Sequence, residues 1–384
     1  MKNNSSLVIA RKGKALTKQS PNVKRNEIAS VATLPRNDVA QRRYPPEWEK
    51  QSCVWLPWPH NKKEWGKKRL QKIQEFYIKL ISLILDFQNV NLILPDEKTL
   101  LSVETCYGKS LQRKKHKLYK IIIPNNDIWI RDYGPFFMKS NVGTLHATSL
   151  LIGFEFNSWG GKFPPWNLDN KVPKEISKYL GCELESYPIV MEGGALEFNG
   201  DGVLMTTEQR LLNRNRNPQL NKNQIESILK SAFNIEAVIW LKCGLEGDHT
   251  DGHIDDVARF IGPKKIVICS TDDKKDANYK HLKESIEYLK KWKHPKQGYK
   301  LEIIKIPLPN KMVLKGKRLP NSYANFIFVN GGIIVSLFNC ETDENVLGAF
   351  TKLFPKRKIV GIDCSLLLEE GGGLHCMTKQ ESSI

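Results

Sequence analysis

No apolar stretch in this 384-residue sequence approaches the ~20 residues that span a bilayer. The longest, FIFVNGGIIVSLF (Phe326–Phe338), is broken by Asn330, Gly331 and Gly332. A secretory signal core is missing as well, because MKNNSSLVIARKGK opens the chain with an apolar patch of only four residues. The eight cysteines stand singly at 53, 106, 182, 243, 269, 340, 364 and 376, with no CxxC pair. That is the pattern of reduced thiols in a cytoplasmic protein, not of a disulfide framework. No nucleic-acid-binding motif accompanies the basic runs at Leu111–Lys120 and Lys274–Lys300. There, charge alternates with Leu, Ile and Tyr at helical spacing, as on a solvated face. The net charge of +18 also loses weight, since residues 1–43 hold ten Lys or Arg against two acids. Polar and acid-poor, this segment is expected to be a disordered leader, either a plain tail or a targeting segment. Non-enzymatic polyanion binding is the alternative that the charge leaves open.

What is present is enough for a substantial core, at 40% hydrophobic residues. From residue 44 to 384, short β-rich runs alternate with amphipathic helical patterns and no low-complexity linker intervenes. Strands are expected at Asn91–Pro95, Lys120–Pro124, Gly202–Thr207, Ala237–Leu241, Lys265–Ser270, Glu302–Pro307, on both sides of Gly331, and at Lys358–Ile362. Helical spacing falls near Lys67–Leu85, Pro173–Leu180, Asn223–Phe233, Asn278–Trp292 and Glu344–Phe354. The rhythm implies one α/β domain. Its motifs sit where strands end and loops begin, the usual place for sites on such scaffolds.

Four motifs carry chemistry. NDIWIRDYGPFF (Asn126–Phe137) sets a carboxylate, Asp132, beside an aromatic wall, Trp129, which suits a planar cation; its plain alternative is a locally paired turn. MEGGALEFNGDG (Met191–Gly202) places Glu192 before two glycines that permit close backbone approach. GDHTDGHIDD (Gly247–Asp256) packs four acids and two histidines into ten residues. In extended backbone His253 and Asp255 would face one side. Such a pair suits Mn²⁺ or Zn²⁺, and manganese ureohydrolases use Asp–His–Asp clusters of this kind. A two-metal site, however, needs a second cluster of comparable density, and none appears. EEGGGLHCMTKQ (Glu369–Gln380) ends on glycines before Cys376; such a run admits substrate to the thiol and can aim amide N–H groups at it.

Together with RRYPPEWEKQSCVWLPWPH, LLNRNRNP and NSYANF, these motifs resemble, in order and over about residues 41–380, the family of agmatine deiminases and bacterial-type peptidylarginine deiminases. The resemblance implies a pentein fold, five pseudo-repeated β/α units arranged as a propeller around a central pocket. It implies hydrolysis of a guanidinium to a ureido group with loss of ammonia, without metal or other cofactor. Cys376 then resembles the nucleophile and His253 the general acid/base. Asp132 and Asp255 resemble the guanidinium clamps and Glu192 the acid supporting His253. Asn325 and Trp129 line the pocket. The substrate implied is a small cationic guanidino compound, agmatine giving N-carbamoylputrescine, with peptidylarginine or another guanidino compound as the alternative. A homo-oligomer is left open, and neither a specific nucleic acid nor a membrane is implied as partner. One departure concerns the far end of the substrate: His249 stands where many agmatine deiminases carry an acid. Asp251 and Asp248 are the remaining candidates near that end, for binding an amine or for capping the loop.

Overall fold

The computed structural model describes residues 42–108, 114–140 and 150–383. The expected leader lies outside the described residues except for Arg42 and Arg43, which pair with Ser140 and Lys139 as a two-residue strand. Regular structure is therefore already present ahead of Tyr44. No helix among the described residues is long and apolar enough to cross a membrane.

Five of the sheets share one connectivity. In each, a first strand pairs antiparallel with a second, and the second pairs parallel with a third reached through a helix. The pairs are Phe136–Ser140 with Leu150–Glu155 and Leu184–Val190, then Glu197–Phe198 with Val203–Thr207 and Ala237–Leu241. Next come Ala258–Gly262 with Lys265–Ser270 and Glu302–Pro307, and Ile327–Val329 with Gly332–Leu337 and Lys358–Asp363. The fifth sheet joins the two ends of the domain. Its first strand, Lys379–Ser382, pairs with Gln51–Pro57, which continues in parallel to Asn89–Leu94 and Leu118–Ile122.

A parallel pair needs a crossover, and a helix is the usual one. The helices Lys67–Ile84, Val172–Leu180, Lys222–Phe233, Tyr279–Lys291 and Thr342–Leu353 supply it, one per unit. Each buries one stripe; in the first, Leu70, Ile73, Tyr77, Leu80, Ile81 and Ile84 recur at three- and four-residue steps. Asn221 and Gln224 close a reciprocal capping box at the start of Lys222–Phe233. The expected helices and strands are present with small shifts of their ends. Of the first strands of the units only Ile327–Val329, before Gly331, was expected; Glu197–Phe198, for one, is too short to show a period.

The repeat places the site. The turn leading into the first strand carries Asp132 in one unit, Glu192 in the next, His253 and Asp255 in the third, Asn325 in the fourth and Cys376 in the fifth. Equivalent positions of five similar units thus bring residues distant in sequence into one cluster.

Candidate active site

Cys376 is buried. Asn325 Nδ2 lies 3.2 Å from its sulfur, and Asp255 Oδ2 lies 4.0 Å away. Burial pushes the thiol well above its ordinary range, and the carboxylates of Asp255, Asp256 and Asp132 add to the push. A backbone hydrogen bond from Gly373 works the other way, consistent with the glycine run aiming an amide at sulfur. Trp129 lies so close to Gly372 that any Cβ there would overlap the indole. The glycine lets the main chain pass beneath that ring.

Around Gly194 three acid–base groups converge: a Cβ built there would sit 2.5 Å from His253 Nδ1, 2.9 Å from Asp132 Oδ1 and 3.0 Å from Asp255 Oδ2. His253 Nδ1 is 3.7 Å from Asp132 and 3.9 Å from Asp255, and its Nε2 is 3.5 Å from Glu192. His253 and Asp255 share this side for a different reason from the expected extended backbone. His253 is extended, but Ile254–Asp256 is a 3₁₀ turn, which swings Asp255 back beside the ring.

Most of the carboxylate oxygens are already held. Asp132 accepts from Gly194 N–H at 2.9 Å and from Trp159 Nε1 at 2.9 Å. Ser158 and Trp159 both have positive φ, at 53° and 56°. Left-handed backbone costs roughly 1–2 kcal/mol per residue, and here it accompanies an indole aimed at Asp132. Asp256 accepts from Asn325 at 2.9 Å, and burial holds its carboxyl well above the usual range. Asp255 Oδ1 differs: it is buried and has no hydrogen-bond partner. An unmet buried carboxylate oxygen is costly, and it marks where a cationic ligand would be met. A metal needs several free donors, whereas here both oxygens of Asp132, one of Asp256 and one of Asp255 are already held. Among the described residues no group of three or more His, Cys, Asp and Glu is placed to hold a metal ion.

The positive charges that balance this cluster carried no role in the sequence reading. Glu192, fully buried, is gripped by Arg216 Nε at 2.8 Å and by Arg210. Arg216 also reaches Asp251 at 2.5 Å and the Thr250 carbonyl at 2.9 Å. Behind Asp255, His375 lies between it and Glu47, and Glu47 is bound by Arg131 and Arg259. A signal for them existed. Buried acids need buried cations, and Arg216 of LLNRNRNP and Arg131 of WIRDYGP lie within the quoted motifs, whereas Arg210 and Arg259 lie outside them.

Cys376, Asp132 and Trp129 line a cleft of about 440 Å³ whose remaining wall includes Trp159, Phe163, His249 and Thr250. His249 is therefore at the cleft, its ring edge-on to Phe163 and its pKa lowered chiefly by burial. Asp251 is not free: Lys162 holds one oxygen at 2.6 Å, and Asn215 and Arg216 hold the other. Burial opposes its charge, but those hydrogen bonds prevail and hold it at about 2. Asp248 caps the loop, accepting from Thr250, Gly252 and His253 N–H groups. The cleft's other acids are Glu64, Asp127 and Glu370. Arg69 pairs with Glu370 at 2.6 Å. Glu64 and Asp127 lie against each other, and both are pushed up by burial and by acidic neighbours.

A bound cation would offset the carboxylates that keep the thiol protonated. In a difference titration of thiolate ultraviolet absorbance against Cys376→Ser, we expect a strongly alkaline midpoint for the free protein. Methylguanidinium is expected to move that midpoint down, since an added positive charge favours the thiolate. An unmoved midpoint at saturating ligand would count against cation-assisted ionisation.

Residues 43–381 match the Porphyromonas-type peptidyl-arginine deiminases. Agmatine deiminase of Pseudomonas syringae pv. tomato is 32% identical over 380 residues, covering 92% of this chain and 98% of its own. Among solved structures, a cysteine-to-serine variant of C. jejuni agmatine deiminase with substrate bound superposes with a TM-score of 0.79 at 33% identity. It covers 89% of this chain and 96% of its own. Agmatine deiminase of Enterococcus faecalis superposes with a TM-score of 0.80 at 29% identity, covering 89% and 96%.

Proposed function

The chain belongs to the Porphyromonas-type peptidyl-arginine deiminase family, and from that premise we propose that it hydrolyses agmatine to N-carbamoylputrescine and ammonia. One observation carries the reading: a buried thiol beside two aspartates and a histidine, with Asp255 Oδ1 unpaired. Carboxylates of this kind accept the N–H groups of a guanidinium and keep it planar and fixed. Trp129 and Trp159 flank the cleft as aromatic faces for the same cation.

In the proposed chemistry the Cys376 thiolate attacks the guanidinium carbon, forming a C–S bond and a tetrahedral adduct. His253 transfers a proton to one departing nitrogen; the C–N bond breaks and ammonia leaves, giving a thiouronium. His253 then takes a proton from water, whose oxygen adds to the same carbon. On collapse the carbonyl forms as the remaining hydroxyl proton passes to solvent, the C–S bond breaks, and the thiolate and the ureido product are released. Holding carbon and sulfur in register supplies part of the rate, up to ~7–11 kcal/mol in the best cases. Glu192 supports His253, and Asn325 orients the thiol.

The acidic end of the cleft favours agmatine over free arginine. The second ammonium of agmatine would draw Glu64 and Asp127 there toward their charged forms, whereas the carboxylate of arginine would find no partner in them. His249 removes an acid from one wall, while Glu64 and Asp127 present acids from another. Peptidylarginine is the second reading. An open groove shares Glu64, Asp127, Trp159 and Phe163 with the cleft and extends along Asn61, Lys63, Pro164 and Pro165, where a peptide would lie.

The test measures ammonia, urea and ureido product from agmatine, arginine and an arginine peptide, each with and without EDTA. Agmatine is expected to be turned over fastest, unaffected by the chelator; urea release lost in EDTA would instead indicate a metal ureohydrolase. Glu64→Gln is expected to raise KM for agmatine about 3–10-fold with little change in kcat, as for a charged hydrogen bond near the surface. An unchanged KM would remove Glu64 from the amine end.

A further inference from the structure

Behind the cleft stands a row of three side chains. Glu47 Oε1 is 2.7 Å from His375 Nε2, and His375 Nδ1 is 2.7 Å from Asp255 Oδ2. His375 and Asp255 are each 1% exposed at the side chain and Glu47 11%. Both ring nitrogens therefore face carboxylate oxygens. An ionised carboxylate only accepts, so the ring must present a proton on each side or share one held by a carboxyl. Glu47 is anchored in turn, 2.9 Å from Arg131 and 2.6 Å from Arg259.

The row has a consequence for Asp255. His375 takes its Oδ2, so Oδ1 remains as the buried oxygen without a partner. A carboxylate held at one oxygen cannot turn, and its free oxygen is aimed before any ligand arrives. We propose that Glu47 is a positioning residue, acting through His375 to pin Asp255 with Oδ1 turned toward the guanidinium. The inference rests on the guanidinium reading of the cleft. It adds the device that orients Asp255, built from the PPEWE and LHC segments at opposite ends of the domain.

The electrostatics agree in sign. Burial opposes the charge of Asp255, but the hydrogen bond and charge of His375, with His253 and Arg259, hold its carboxyl below the usual range. Asp256 and Cys376 lie on its other side. Around His375, burial, Arg131 and Arg259 disfavour the ring's charge, while Glu47 and Asp255 favour it. Removing the Glu47 charge therefore weakens the ring as a donor to Asp255. The carboxyl of Asp255 then rises toward its ordinary value, and ionisation needed for substrate binding is lost at a higher pH.

The experiment follows kcat/KM for agmatine across the acid limb in four variants. Glu47→Gln and His375→Gln are each expected to lower kcat/KM about 10²-fold and to move the acid limb up by about one pH unit. The side chain of His375→Gln can reach Glu47 but not Asp255, whereas His375→Asn keeps a short amide donor toward Asp255 and is expected to recover part of the loss. The Glu47→Gln/His375→Gln double variant is expected to be no worse than the weaker single one, because both break one row. Losses that multiply, or a limb that stays in place in His375→Gln, overturn the proposal. Glu47→Gln also strips Arg131 and Arg259 of a counter-charge; if it fails to fold, the two His375 variants decide. If the wild-type protein turns over no guanidine, the functional reading has failed. The row is then judged by the ¹⁵N shift of His375 Nδ1, which Glu47→Gln must change; an unchanged shift overturns the proposal.

Discussion

Cys376→Ser is expected to lose at least about 10⁴-fold in kcat for agmatine while keeping the fold, since losing a covalent nucleophile costs far more than losing a positioning group. A serine hydroxyl ionises much less readily than a thiol, and the carboxylates around position 376 oppose its anion as they oppose the thiolate. The sulfur makes its contacts with Asn325 and Asp255 and takes part in no ion pair, so the folded state loses little. Agmatine should still bind, because Asp132, Asp255 and Trp129 remain. The measurement pairs single-turnover ammonia release with calorimetric binding. Turnover within tenfold of wild type would remove Cys376 from the chemistry, and with it the covalent route.

The largest expected effect on stability comes from Arg216→Ala. Arg216 has no exposed side-chain surface and joins Glu192, Asp251, the Asn215 side chain and the Thr250 carbonyl. Removing one partner of a buried ion pair leaves the other charge unmet, at a cost of about 3–5 kcal/mol. The variant is expected to show that loss as a lower denaturation midpoint at unchanged slope. Part of the loss should disappear in acid. Asp251 is held at about 2, below its ordinary value near 3.8, so its contribution is present above 3.8 and fades as pH falls through about 2. A loss of stability below about 1 kcal/mol would mean that Arg210, not Arg216, balances Glu192.

Both effects depend on buried charge, and the sequence revealed the two signs unequally. GDHTDGHIDD announces its acids because they cluster within ten residues. Their counter-ions are spread along the chain: Arg210 comes from the one-turn helix Glu208–Leu211 and Arg216 from the loop after it, Arg131 from the turn at Ile130–Tyr133, Arg259 from Ala258–Gly262. Asp251 shows the cost of reading one segment alone. Beside His253 in sequence it was a candidate for the substrate's amine, yet Lys162, Asn215 and Arg216 occupy both its oxygens. Glu64 shows the reverse. Nothing in NKKEWGKK points to a ligand, and only the fold brings that residue to the cleft with Cys376.

By itself the sequence determined what is local. Apolar periods set the helices and the longer strands, glycines before Cys376 and after Glu192 set where backbone can pass closely, and residue type set which groups can transfer protons or attack carbon. Tertiary structure decided which charges meet. An ion pair's worth depends on the distance between its partners and on their burial, and these partners lie far apart in the chain. Five repeated units carry Asp132, Glu192, His253, Asp255, Asn325 and Cys376 to one cluster, of which Asp132 and Cys376 line the cleft. The same convergence leaves Asp255 Oδ1 without a partner inside the protein.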